Sequence, residues 1–173
     1  DVLRLCREGS RWGVVEPANF NCPGQIVIAG EVEAIEKTVA LAKQAGAKRA
    51  VLLPVSAPFH CSMIRPAGVK LAGELAATDL NDAQIPVMAN VSARYVLKKE
   101  DIEVALINQV SSPVLWEDSV RGMLRDGVNR FVEVGPGKSL NVFIRKIDRD
   151  VPSANVEDIQ SLEKVLDSLG RVC

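Results

Sequence analysis

The chain contains one histidine, His60, set between Pro58-Phe59 and Cys61. An imidazole can take a hydroxyl's proton near neutral pH and return it to a leaving group. His60 follows the apolar run Ala50–Val55 (AVLLPV), which reads as a buried strand. Catalytic groups in α/β folds collect at strand ends. On these residues alone, an acid–base histidine and one that only packs at a strand end stand level. Cys61 reads as a small buried thiol rather than a nucleophile, because adjacent side chains seldom face one another.

Other candidates are weaker. Gly135-Pro136-Gly137-Lys138-Ser139 ends like a phosphate-binding loop, but the full G-x-x-x-x-G-K-[ST] pattern needs glycine where Val132 stands. What survives is a tight turn between strand and helix. Lys48-Arg49 and the basic face Arg145, Lys146 and Arg149 read first as solvated charge. Asn19 and Asn21 flank Phe20 at a strand end, where asparagine bonds to backbone or to a ligand. The four cysteines, at positions 6, 22, 61 and 173, form no C-x-x-C. With a single histidine beside them, they suit neither a metal site nor a disulfide framework.

The elements that must hold these groups alternate between helix and strand, which argues for α/β layers. Asp1–Gly9 reads as a helix, and Trp12–Asn19 and Gln25–Ala29 as strands split by Cys22-Pro23-Gly24. Val32–Ala45 is amphipathic, through Val32, Ile35, Val39 and Ala42, with Gly46 as its stop. A helix opens at Pro66, and Pro86–Ala89 is a short strand. Helices follow near Asp101–Val110 and Val114–Asp126, then a strand at Arg130–Val134 and a helix near Lys138. A last helix is expected to start from Asn155 as N-cap and to bury Val156, Ile159, Leu162, Val165 and Leu169. Residues 1–55 therefore read as a ferredoxin-like small subdomain lacking its first strand, and 56–173 as part of a larger α/β layer. The boundary near Ser56 rests on the change of pattern.

Composition narrows the function classes. Lys and Arg total 21 against 22 Asp and Glu, for a net charge of −1, so no basic surface for nucleic acid is expected. No apolar run approaches the roughly 18 residues that span a bilayer, and DVLRLCREGS lacks the build of a signal peptide. The expected compartment is the cytoplasm.

Five segments carry a family resemblance. They are N-F-N-C-P-G-Q-I-V-I-A-G (19–30), A-G-A-K-R-A (45–50), P-V-S-A-P-F-H-C-S-M (54–63), Q-V-S-S-P-V-L-W (109–116) and E-V-G-P-G-K-S-L (133–140). In this order and spacing the chain resembles the C-terminal portion of the malonyl-CoA:acyl carrier protein transacylases, from about Gly13 to the final helix. The resemblance implies part of an α/β-hydrolase-like acyltransferase core beside the incomplete ferredoxin-like unit. It also implies ping-pong transfer of malonyl from CoA to a carrier's phosphopantetheine thiol, for fatty-acid synthesis, with no cofactor. His60 then matches the catalytic histidine, and Gln109 the residue whose main-chain carbonyl orients it. Asn19 and Asn21 match the acyl pocket, and Phe59 a residue that favours malonyl over methylmalonyl by crowding an α-methyl group. Lys48 and Arg49 match a basic pair that meets the acidic carrier protein.

One departure is large. The G-H-S-x-G elbow that carries the family's serine is absent from these 173 residues. So are the arginine that pairs with the malonyl carboxylate and the glutamine-bearing oxyanion loop. The chain alone is therefore expected to be inactive, with the missing N-terminal portion of the same enzyme as partner beside acyl carrier protein and malonyl-CoA. The competing expectation is a non-catalytic domain that keeps the scaffold and binds acyl-CoA or a carrier protein.

Overall fold

A computed structural model describes residues 1–55 and 57–170. The chain divides into two compact units, Asp1–Ser119 and Val120–Cys173. The expected boundary at Ser56 falls on a position outside the described residues.

The first unit opens with helix α1 (Val2–Gly9) and a 3₁₀ turn, Ser10–Trp12. Strands β1 (Val15–Cys22) and β2 (Gln25–Gly30) form an antiparallel hairpin, and helix α2 (Val32–Gln44) follows. Cys6, Val15 and Ala34 are buried together at the junction of α1, β1 and α2, with Val2, Trp12, Ile28 and Ile35 against them. The stop of α2 matches the expectation at Gly46. That residue has φ +87, and the Gly46 and Ala47 amides donate to the Lys43 and Ala42 carbonyls at 3.1 and 2.9 Å. Glycine takes this left-handed conformation at little cost, and the two bonds satisfy carbonyls that the helix end leaves open.

Helix α3 (Arg65–Ala76), the short antiparallel pair β3 (Val87–Ala89) and β4 (Arg94–Val96), and helix α4 (Lys99–Val110) complete the unit before helix α5 (Trp116–Arg125) begins. α3 packs on α4.

The Ala50–Val55 expectation fails. No strand forms there, and Val51, Leu52, Leu53 and Val55 are each at least half exposed. An apolar run predicts a wish for burial, but a strand exists only where a neighbour supplies ladder hydrogen bonds. No described residue pairs with this run.

The second unit contains β5 (Phe131–Val134), α6 (Ser139–Ile147), β6 (Ser153–Val156) and α7 (Ile159–Gly170), with β5 and β6 paired in parallel. The expected N-cap Asn155 instead lies within β6, opposite Glu133. Ladder bonds outcompete a local cap. Asp158 takes the capping role, its Oδ1 accepting the Ser161 amide at 2.7 Å. The buried face of the helix also differs from the expectation. Of the five residues expected to be buried, Val165 is, while Ile159 is 75% exposed. Among the described residues no helix is long and apolar enough to cross a membrane.

The cap carries a pH signature. Hydrogen bonds from the Ser161 amide and hydroxyl hold the Asp158 carboxyl below the ordinary carboxylate range. A depressed folded-state pKa gives stability that is present above the unfolded value of about 3.9 and is lost as pH falls through the folded one. Asp158→Asn keeps an acceptor and removes the charge. The stability gap between wild type and this variant should therefore narrow below that range, measured as denaturation midpoints across acid pH. A gap that stays constant would contradict the assignment.

Candidate active site

His60 lies in the loop leading to α3, and its backbone is unusual. Its φ is +60, a left-handed conformation that costs an L-residue with a Cβ about 1–2 kcal/mol. Short bonds define the bend. The Phe59 amide donates to the Ala57 carbonyl at 3.0 Å, and the Cys61 thiol donates to the Pro58 carbonyl at 3.2 Å. Cys61 is 1% exposed and anchors the loop into the protein. Burial pushes its thiol pKa up, so it stays protonated, as expected of a packing cysteine.

Ser62, two residues past the histidine, is tied to β1. Its amide donates to Glu16 Oε2 and its hydroxyl to Glu16 Oε1, both at 2.7 Å. Glu16 is not among the site residues expected from sequence. The one local signal is a carboxylate inside a β-prone run, between Val15 and Pro17.

Gln109 sits in the last turn of α4, where carbonyls have no donor within the helix. Its carbonyl oxygen is 3.1 Å from His60 Nδ1. A carbonyl only accepts, so this bond requires a proton on Nδ1. The Gln109 side-chain Nε2 also approaches Nδ1, at 3.5 Å, but would need Nδ1 to be bare. That amide has better acceptors in the Ser112 carbonyl at 3.0 Å and the Pro113 carbonyl at 3.4 Å. The shorter, chemically consistent pairing wins. In neutral His60 this bond puts the proton on Nδ1 and leaves the Nε2 lone pair available to a proton donor.

β1 also fixes the segment after Gln109. The Phe20 amide donates to the Val114 carbonyl and the Val114 amide to the Ala18 carbonyl, each at 2.8 Å. The β1–β2 register skips between Pro17 and Asn19 and between Phe20 and Cys22, so Ala18 and Asn21 are bulge residues. Bulges twist a strand and re-aim its side chains.

Of the other expected site residues, Asn19 and Asn21 lie half-buried on β1, and Phe59 is exposed directly before His60. No hydrogen bond joins either asparagine to His60 among the described residues. Lys48 and Arg49 are exposed just past the α2 cap. In the second unit, Glu133 accepts the Leu140 and Asn141 amides at 3.0 and 2.9 Å, and Glu157 accepts the Gly137 amide at 3.2 Å. Carboxylates occupy donors that a phosphate loop would present, in line with the failed Val132 match.

Known proteins resemble this chain closely. It is 44% identical over 166 residues to the malonyl CoA-acyl carrier protein transacylase of Bacillus subtilis (strain 168), an overlap of 96% of this chain and 51% of that protein. The crystal structure of malonyl CoA-acyl carrier protein transacylase from Clostridium perfringens Atcc 13124 matches with a TM-score of 0.94 at 45% identity, covering 99% of this chain and 54% of the other. A structure of a type II PKS acyl-carrier protein in complex with its malonyl-transacylase also matches, with a TM-score of 0.94 at 40% identity, covering 96% of this chain and 54% of the other. No family model matches. The mixed α/β fold is thus that of these acyltransferases, and the chain spans about half the length of the relatives it matches.

Proposed function

We propose that this chain is the histidine-bearing, C-terminal portion of a malonyl-CoA:acyl carrier protein transacylase, acting in fatty-acid synthesis with a serine from outside these residues. The observation that carries the reading is the His60 Nδ1–H···O=C bond to Gln109, at 3.1 Å. It leaves Nε2 as the base. A main-chain carbonyl here takes the orienting role that a carboxylate plays in Ser-His-Asp sites.

In the proposed cycle, His60 Nε2 accepts the serine hydroxyl proton as the serine oxygen attacks the malonyl thioester. The C–S bond breaks, and CoA leaves as the thiol with that proton. The carrier's phosphopantetheine thiol then gives its proton to Nε2 and attacks the malonyl-serine ester. The C–O bond breaks and the serine recovers its proton. No step calls for a cofactor. Asn19, Asn21 and Phe59 line the acyl pocket in this reading, and exposed Lys48 and Arg49 meet the acidic carrier protein. The α1–β1–β2–α2 order supports assigning 1–55 to an incomplete ferredoxin-like subdomain, without the strand expected at Ala50–Val55, and 56–173 to the acyltransferase core. A cytoplasmic setting suits Cys6 and Cys61, which are thiols rather than halves of a disulfide.

The test is complementation. Alone, the chain should take up no malonyl group from malonyl-CoA, by intact mass. Mixed with an N-terminal portion of a matching transacylase, it should support transfer to holo acyl carrier protein, and His60→Ala should not. Stoichiometric acylation of one of the chain's own serines would overturn the reading.

A further inference from the structure

We propose that Glu16 is a positioning residue that holds His60 in reach of the Gln109 carbonyl. The inference rests on the reading of His60 as the acid–base group and adds the device that keeps it oriented.

The imidazole meets its partner from a backbone conformation that is costly by itself. Such strain persists only where the surroundings over-determine it. The bonds within residues 57–61 shape the bend without saying where it sits relative to α4. The Glu16 carboxylate does that. It grips Ser62 through both oxygens, at 2.7 Å each, across 46 positions of sequence. Bonds to an ionised acceptor are roughly twice as strong as neutral ones, and a two-point grip fixes direction as well as distance.

The other half of the pair is fastened to the same strand. Ala18 and Phe20, two and four residues beyond Glu16, hold Val114 and hence the turn that follows Gln109. β1 therefore sets the spacing between the His60 loop and the end of α4 from two neighbouring points. Releasing the Glu16 point leaves Gln109 in place and lets the imidazole drift.

Because His60 is the chain's one histidine, its ring nitrogens can be read without ambiguity. The experiment is a long-range ¹H–¹⁵N spectrum of the histidine-labelled 173-residue chain in alkaline buffer. Wild type should show Nδ1 as an N–H and Nε2 as a bare nitrogen. In Glu16→Ala the two signals should move toward the averaged positions of an unconstrained ring. Glu16→Gln, which keeps an acceptor for one Ser62 donor, should fall between. A tautomer pattern unchanged in a folded Glu16→Ala chain, judged by its amide spectrum, overturns the proposal. Should Glu16→Ala fail to fold, Ser62→Ala removes one of the two bonds, and an unchanged ring there overturns it equally. A wild type already carrying its proton on Nε2 contradicts the His60–Gln109 bond itself, and the functional reading falls first.

Discussion

His60→Ala should lower malonyl transfer by about 10²- to 10⁴-fold in the complemented enzyme, the range typical of a positioned acid–base group. Both half-reactions need the same nitrogen, once as base and once as acid, so kcat should fall in each. Gln109→Ala should cost far less. The carbonyl that orients the ring belongs to the main chain and survives side-chain replacement, while the lost side chain only ties down the Ser112 and Pro113 carbonyls. If the two variants lose activity equally, the division of labour between carbonyl and side chain is wrong.

A packing role for His60 makes a different forecast, and a second substitution separates the two. His60→Ala and His60→Gly lose the same imidazole but differ in a Cβ at φ +60. Relief of the left-handed strain, offset by the extra chain entropy of glycine, should make the glycine variant the more stable by about 1 kcal/mol. Both should be equally inactive. A histidine retained for stability would not occupy a conformation that glycine fills better. Equal stability of the two variants, or activity that tracks stability, would return His60 to the packing reading.

The His60–Gln109 pairing came from the resemblance, and the structure then placed the two groups together. Local sequence could not have paired them, since 49 residues separate them and a backbone acceptor leaves no mark in residue types. Helices were legible because their periodicity and caps are local, as at α2 and Gly46. Strands were harder. β4 carries no local signal, the apolar run Ala50–Val55 suggests a ladder that no described residue provides, and Asn155 suits a helix cap although it lies within β6. Each of these depends on a partner distant in sequence. Glu16 is hard to read from sequence for the same reason. A lone carboxylate between Val15 and Pro17 marks the position, but its meaning lies in Ser62, 46 residues away.

Gly30→Ala should destabilise the chain by about 3 kcal/mol, the upper end of ordinary overpacking, and should disturb the site with it. Gly30 ends β2 opposite Val15. A Cβ there would overlap the Val14 carbonyl oxygen and lie 2.8 Å from Val14 C and Val15 Cα, so the obstacle is backbone rather than a side chain that can swing away. The Val14 carbonyl also accepts the Glu31 amide at 2.8 Å, and the Val14 amide donates to Glu31 Oε1 at 3.2 Å. Moving it breaks the corner between β2 and α2. Val15 is 4% exposed and packs with Cys6 and Ala34, so the shift reaches the core as well. Glu16 comes next along β1, and any displacement of that strand changes where Ser62 and His60 are held. Gly73 provides the control. It lies within α3 with nothing within 4 Å of an added Cβ, and alanine there should stabilise by roughly 0.8–1 kcal/mol through helix propensity alone. Urea midpoints distinguish the two glycines, and the ring-nitrogen spectrum tells whether the damage at Gly30 reaches His60. A Gly30→Ala chain that matches wild type in both measurements would mean that β1 does not serve as the rigid reference for the site.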